Sequence, residues 1–261
     1  EARYNVAMSA LNPRQQELLT QVQREGFASV EALAKQFGVT HQTIRRDINR
    51  LASQQLVRRF HGGAGLPSSV ENFAYKTRQT LFHVEKRRIA ELIARHIPNH
   101  SSLFINLGTT TEEVAKALSH HKDLRVITNN LNVAAVMCAN PDCEVIVTGG
   151  VVRSRDRGII GESTIDFISQ FKVDYGVIGI SGIEADGTLR DFDYREVRVA
   201  EAIIAHSRKV FLVADHSKFG RRALARLAHL SQITALFTDR AVPADMAAIL
   251  AEAKTTVYVA D

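Results

Sequence analysis

From residue 85 onward the chain alternates between short apolar runs and helical patterns. The runs lie at 102–106, 124–128, 144–148, 174–180, 209–214, 234–238 and 255–259. Helical periodicity fills 111–119, 131–139, 163–170, 194–206 and 243–253. A further helix over 85–97 comes first, with Ile89, Leu92, Ile93 and Ile97 inward and Pro98 as its stop. Runs that are apolar throughout suit strands covered on both faces, and intervening helices suit parallel neighbours. The expectation is an α/β domain with an open, mostly parallel sheet. Such sheets bind ligands in the crevice at the carboxyl ends of their strands.

The first quarter has a different character. Residues 1–66 hold nine Lys/Arg and five acids, a net of +4, whereas the remaining 195 residues net only +1. A basic unit followed by a nearly neutral one fits a nucleic-acid reader joined to something else. Asn12-Pro13 with Gln15 has the form of a capping box, and Leu18, Leu19 and Val22 make the stripe of a helix ending near Gly26. Ser29 is placed to cap a second helix with Val30, Leu33, Ala34 and Phe37 inward, closed by Gly38. Thr40 then caps a third, in which Ile44, Ile48 and Leu51 repeat at helical spacing. Its other face carries His41, Gln42, Thr43, Arg45, Arg46, Asn49 and Arg50. Gln and Asn bond adenine edges, and Arg bonds guanine or phosphate, so this face suits a major groove. After Leu51, Leu56, Val57 and Phe60 alternate loosely with Arg58, Arg59 and His61, and Gly62-Gly63 permit a reversal. That reads as a wing beside a helix-turn-helix. The expected domains are 12–66, a winged helix-turn-helix; 67–83, a linker broken at Pro67-Ser68-Ser69; and 84–261, the larger α/β domain.

Other classes are disfavoured. No run of about 18 apolar residues suggests a membrane helix, and the first twelve residues lack the apolar region of a secretory signal. Cys138 and Cys143 form no metal-ligand spacing. A cytoplasmic protein without metal or cofactor is expected.

The expected strand ends share one chemistry. They carry Gly108-Thr109-Thr110-Thr111, Thr128-Asn129-Asn130, Gly149-Gly150, Ser181-Gly182, and Asp215-His216-Ser217-Lys218. Glycines admit a ligand close to backbone, helix-start N–H groups attract anions, and Lys218 adds a point charge. Asn129 and Asn130 suit the hydroxyls of a polyol. No Walker A pattern is present. Any one of these loops is equally an ordinary strand-to-helix turn; five on one edge favour a phosphate-bearing small molecule.

The stretch 29–64, SVEALAKQFGVTHQTIRRDINRLASQQLVRRFHGGA, resembles the N-terminal signature of the DeoR family of bacterial repressors, with TIRRDI and the closing R-x-HGG both present. GTTT, TNN, TGG, GISGI, EVR and DHSKFG resemble the family's sensor domain, so the likeness covers most of the chain. It implies operator double-stranded DNA bound as a homo-oligomer, a dimer or tetramer. It also implies a sensor similar in fold to ribose-5-phosphate isomerase and the CoA-transferases, answering sugar phosphates. Residues 153–199 narrow the likeness within the family and imply glycerol 3-phosphate as inducer. Asn106 departs from the Asp of many relatives, which predicts a small effect on recognition of ligand hydroxyls. A family member sensing another sugar phosphate, and an active isomerase with an added DNA domain, are the alternatives.

Catalysis is not expected. Isomerases of that fold carry acids where GISGI, 179–183, stands, and proton transfer needs a titratable group within reach. Glu184, Asp186, Asp191, Asp193 and Glu196 follow. Asp191 and Asp193 would share a strand face and read as a solvated loop or subunit contact. Glu196, beside Arg195 and Arg198, reads as a capping and ion-pairing residue. Asp215-His216-Ser217 are consecutive and cannot form a relay.

Overall fold

A computed structural model describes residues 11–25, 27–54, 56–60, 62–65 and 75–261. Expectations on Gly26, His61 and Pro67-Ser68-Ser69 fall outside the described residues. The chain divides into two compact units, Glu1–Leu81 and Phe82–Asp261.

The first unit contains α1 (Pro13–Glu25), β1 (Phe27–Ser29), α2 (Val30–Phe37), α3 (His41–Ser53), β2 (Arg58–Phe60), β3 (Gly63–Gly65) and α4 (Tyr75–Thr80). Its caps form as the residue types require. The Gln15 N–H donates to Asn12 Oδ1 at 2.9 Å, and the Asn12 N–H donates to Gln15 Oε1 at 3.2 Å, a complete capping box. Ser29 Oγ accepts from the Ala32 N–H at 3.0 Å, and Gly38 closes α2 in the left-handed region with φ 62°. Leu18, Leu19, Val22, Leu33, Ile44, Ile48 and Leu51 form a dry core. The wing is larger than its sequence suggests, because β1 joins it in an antiparallel sheet of order β1-β3-β2. Three residues are too few to show a period, so β1 was not legible.

The second unit is built on a seven-stranded sheet, all of whose pairings are parallel. Its strands are β4 (Ser102–Ile105), β5 (Leu124–Thr128), β6 (Cys143–Val147), β9 (Val173–Gly179), β12 (Ser207–Val213), β14 (Ala235–Thr238) and β15 (Thr256–Val259), in the order β15-β14-β12-β9-β4-β5-β6. These are the seven apolar runs, each within two residues of its expected ends. Six helices connect or cover them: α5 (His83–Ala94), α6 (Thr109–Ala117), α7 (Leu131–Met137), α8 (Glu162–Ser169), α9 (Tyr194–Ala205) and α10 (Ala244–Ala253). Alternate residues of each strand serve opposite faces. Leu103, Ile105, Val126, Val177 and Phe211 pack with α5, α6 and α7, while Phe104, Ile127, Ile178 and Leu212 pack with α8, α9 and α10. α5 ends at Ala94, and tight turns from Leu92, Ile93 and Ala94 carry the chain to Ile97, so Pro98 is not what stops the helix.

Two antiparallel additions were not expected. β7 (Val151–Arg153) and β8 (Gly158–Ile160) form a hairpin, and β10 (Gly182–Ile183), β11 (Thr188–Asp191) and β13 (Ala225–His229) form a small sheet. Their strands are short and mixed in polarity, so neither length nor pattern separated them from loops. Among the described residues no helix is long and apolar enough to cross a membrane.

Candidate functional site

In the first unit α3 presents two faces. Ile44, Asp47, Ile48 and Leu51 are buried. His41, Gln42, Arg45, Arg46, Asn49 and Arg50 are exposed, Thr43 partly so. Thr40 caps the helix by accepting from the Thr43 N–H at 3.2 Å, and the two hydroxyls meet at 3.0 Å. The wing is tied to this face, since Arg59 Nη1 donates to Asn49 Oδ1 at 3.2 Å. Arg58 stands over the Phe60 ring, 5.6 Å from its centroid. One acid interrupts the basic helix, and the sequence reading assigned it no role. Asp47 is buried and accepts from Arg14 Nε at 2.7 Å and from Gln15 Nε2 at 2.8 Å. It fastens α1 to α3. Its place on the Ile44–Ile48–Leu51 stripe was the available signal.

In the second unit the parallel sheet gathers all five predicted loops at one edge. Gly108 precedes α6 with φ 150°, and no side chain caps that helix. The first-turn N–H groups at Thr109, Thr110 and Thr111 therefore lack intrahelical acceptors, a geometry that suits an anion. Three buried polar atoms along the same edge have no hydrogen-bond partner among the described residues: Asn129 Oδ1, Thr148 Oγ1 and Thr238 Oγ1. They stand at the ends of β5, β6 and β14. Unsatisfied buried groups are rare, and the pair on the neighbouring strands β5 and β6 is of a kind that a ligand would satisfy, whereas Thr238 lies four strands from β5.

Other predicted groups are engaged internally. Thr111 Oγ1 donates to the carbonyls of Asn106 and Gly108 at 2.7 and 2.8 Å. Thr128 Oγ1 donates to the Ile105 carbonyl at 2.6 Å and accepts from the Asn130 N–H at 3.0 Å. Asn130 caps α7 through Oδ1 and donates from Nδ2 to Glu112 Oε1 at 3.2 Å. These side chains shape loops, and their hydroxyl and amide protons are not directed at a phosphate. Ser181 Oγ donates to Asp191 Oδ1 at 2.9 Å. Gly149 offers its carbonyl to Thr164 Oγ1 at 2.8 Å. Gly150 and Gly182 are small for packing reasons. A Cβ on Gly150 would lie 2.6 Å from Thr164 Oγ1, and one on Gly182 only 2.0 Å from the Arg221 carbonyl oxygen. Asn106 Oδ1 accepts from the next N–H, that of Leu107, at 2.7 Å, so this amide too is turned to its own loop.

The loop after β12 holds a buried ion pair. Asp215 is fully buried, and Lys218 Nζ lies 3.6 Å from its Oδ2. Burial alone would raise the Asp215 pKa; the ammonium groups of Lys218 and Lys86 and the bonds from Ser217 outweigh it and hold the carboxyl at about 2. The His216 N–H donates to Asp239 Oδ1 at 2.7 Å, and its ring Nδ1 meets Asp239 Oδ2 at 2.6 Å. Ser217 Oγ bonds Asp215 rather than His216, so the three consecutive residues form no relay.

Asp186 is exposed, but Asp191 and Asp193 are not residues of a solvated loop. Asp191 is buried against Ser181 and accepts from the Phe192 N–H at 2.7 Å. Asp193, not Glu196, caps α9, accepting from the Arg195 N–H at 3.0 Å. Arg153 of the β7–β8 hairpin reaches three carboxylates: Asp156 at 2.6 Å, Asp193 at 2.9 Å and Glu196 at 2.6 Å. Glu196 thus pairs with Arg153, and with Arg155 at 3.5 Å, instead of its neighbours Arg195 and Arg198. Burial disfavours the Arg153 charge, yet the bonds it donates to Asp156 and the pairing with Glu196 drive its pKa above the usual guanidinium value. The hairpin is also stitched to β5, since the Ile159 N–H donates to the Asn129 carbonyl at 2.7 Å and Asn129 Nδ2 donates back to the Ile159 carbonyl at 3.2 Å. Arg153 therefore fixes the hairpin that frames Asn129. A lone Arg within a mixed-polarity loop gave no signal of this.

A groove of about 660 Å³ opens at the opposite, amino-terminal edge of the sheet, with Ser102, Asp123, Asp142, Glu144 and Asp174 among its lining. Its carboxylates would repel a phosphate, and parallel sheets bind at the other edge, so the crevice is the better candidate.

Residues 14–70 match the family described as DeoR-like helix-turn-helix domain, and residues 82–240 the family described as DeoR C terminal sensor domain. The glycerol-3-phosphate regulon repressor of Escherichia coli (strain K12) is 51% identical over 231 residues, covering 88% of this chain and 92% of that protein. Its namesake from Haemophilus influenzae is 49% identical over 94% of this chain and 96% of that protein. The HTH-type transcriptional repressor CsqR of Escherichia coli is 43% identical over 95% of each. Among solved structures, ribose 5 phosphate isomerase A from Neisseria gonorrhoeae aligns with a TM-score of 0.38 and 15% identity, over 51% of this chain and 52% of that one. With both units matched in order and relatives alike over nearly their whole length, this chain belongs to the DeoR family.

Proposed function

We propose that this chain is a transcriptional repressor of glycerol 3-phosphate metabolism, released from operator DNA by glycerol 3-phosphate. Residues 12–66 bind DNA and residues 84–261 sense the inducer. The exposed face of α3 carries the reading: six polar or basic side chains stand in solvent over a buried apolar stripe. Gln42, Thr43, Arg45, Arg46 and Asn49 contact bases or phosphates, with Thr40, His41, Arg50 and the wing residues Arg58, Arg59 and His61 beside them. A protein of this kind works in the cytoplasm as a homo-oligomer, because paired recognition helices match paired half-sites. The inducer choice is supported by the names of the relatives at 49–51% identity. Its phosphate would sit at the start of α6 and near Lys218, and a hydroxyl at Asn129 Oδ1. No catalytic role is assigned, since the buried acids near the crevice are each engaged with a neighbouring cation, hydroxyl or amide.

Induction requires that the sensor bind inducer more tightly in the state with low operator affinity, and the coupling is reciprocal. Calorimetric titration of glycerol 3-phosphate with and without operator DNA, selected from random sequence by the protein itself, measures it. Weaker inducer binding in the presence of operator is expected. Equal affinities in the two titrations would sink the repressor–inducer mechanism. The same titration with hexose and pentose phosphates distinguishes a family member tuned to another phosphate.

A further inference from the structure

The buried stripe of α5 begins with a charge. Lys86, Ile89, Ala90, Ile93 and Ala94 are its buried residues, and Lys86 is only 3% exposed. Helical spacing would place an apolar residue there. Burying an ammonium group costs several kcal/mol before any partner repays it, so a lysine in this position calls for a use.

Its surroundings supply one. One turn earlier, the Phe82 ring meets the His216 ring edge-on with centroids 4.7 Å apart. Glu85 lies 3.9 Å from Arg240, which follows β14. The first turn of α5 therefore packs on the loops after β12 and β14, at the carboxyl edge of the sheet. Asp215 is the anion there: Lys218 Nζ lies 3.6 Å from its Oδ2, and Lys86, one turn after Phe82 on the face packed against this loop, is near enough for its charge to act on the same carboxylate. The strand order places β12 two positions from β4, about 10 Å at ordinary strand spacing. The intervening strand, β9, ends in Gly179, where a Cβ would approach the Leu107 carbonyl and the Thr111 side chain at 3.8–3.9 Å, so its last residue adds no side chain of its own beside the Gly108–Thr111 loop.

We propose that Lys86 is a phosphate-binding residue of the crevice, acting with Lys218 across the shared carboxylate of Asp215. The ligand class is a phosphate monoester, whose charge two ammonium groups match. Lys86 sits one turn into the helix with which the second unit begins. A phosphate that engages it acts on the stretch of chain that continues back to the DNA-binding unit. The inference rests on the crevice reading given above.

The test uses the full chain and two probes, inorganic phosphate and glycerol 3-phosphate, followed by calorimetry. The variant is Lys86→Met, an uncharged chain of similar length on an apolar stripe. Affinity for both probes is expected to fall at least tenfold, with Lys218 left as the ion-pair partner of Asp215. Binding of both probes within twofold of the unaltered protein overturns the proposal and leaves the inducer assignment standing. Phosphate binding that depends on Lys86, with no binding of glycerol 3-phosphate by the unaltered protein, supports Lys86 and removes the inducer. Binding of neither probe to the unaltered protein overturns both. Should Lys86→Met fail to fold, the unaltered protein labelled with 15N-lysine serves instead. The Nζ signal that Lys86→Arg removes is expected to shift on adding phosphate, and an unmoved signal overturns the proposal.

Discussion

The two units carry their functional groups in opposite ways. In the first, most candidate residues lie on the outer face of one thirteen-residue helix, and most of those stand in solvent. In the second, they come from the ends of separate strands and are mostly buried and bonded to one another. A surface that reads DNA needs side chains free to reach base edges. A crevice that tells one small phosphate from another needs groups held in place, and that holding consumes much of their hydrogen-bonding capacity. Thr111, Thr128 and Asn130 illustrate this: they look like ligand contacts in the sequence and work as loop braces in the structure.

The largest expected effect sharpens this contrast on the braced side. Arg153→Ala leaves Asp156, Asp193 and Glu196 to the more exposed Arg155 and Arg195 and should cost about 3 kcal/mol. Urea unfolding followed by a probe in the second unit measures it, and a loss under 1 kcal/mol would mean that the hairpin is held otherwise. Next comes acid. The Asp215 carboxyl titrates at about 2 instead of its ordinary 3.8, so its stabilisation is complete above about pH 4 and is lost as pH falls through about 2. The contribution is about 2 kcal/mol. In Asp215→Asn that part of the acid profile should disappear.

On the open side, effects fall on binding. Arg45→Ala should weaken operator binding by more than about 1 kcal/mol if Arg45 makes a bidentate base contact. Fluorescence anisotropy at fixed salt reads this, and unchanged affinity for both operator and random DNA would place Arg45 outside the interface. The smallest effect is local: Thr40→Ala removes the acceptor of the Thr43 N–H and should cost about 1 kcal/mol of stability in the first unit. A comparable loss from Thr43→Ala would instead point to the hydroxyl pair as the main cap interaction.

Sequence alone determined whatever depends on neighbours along the chain. Helix starts at Asn12, Ser29 and Thr40 follow from short side chains that reach N–H groups two or three residues on. The α3 face follows from a period of 3.6, and the sheet from seven apolar runs that only helices on both sides could cover. Parallel pairing in turn placed the candidate loops on one edge before any contact was known. Tertiary structure decided what depends on residues far apart in the chain. Asp47 meets Arg14, Arg153 meets Glu196, and Lys86 joins Lys218 at Asp215. A charged residue in sequence looks the same whether it faces water or a partner, because its type does not record its burial. The cost of burying a charge makes such partners obligatory, and only the fold names them.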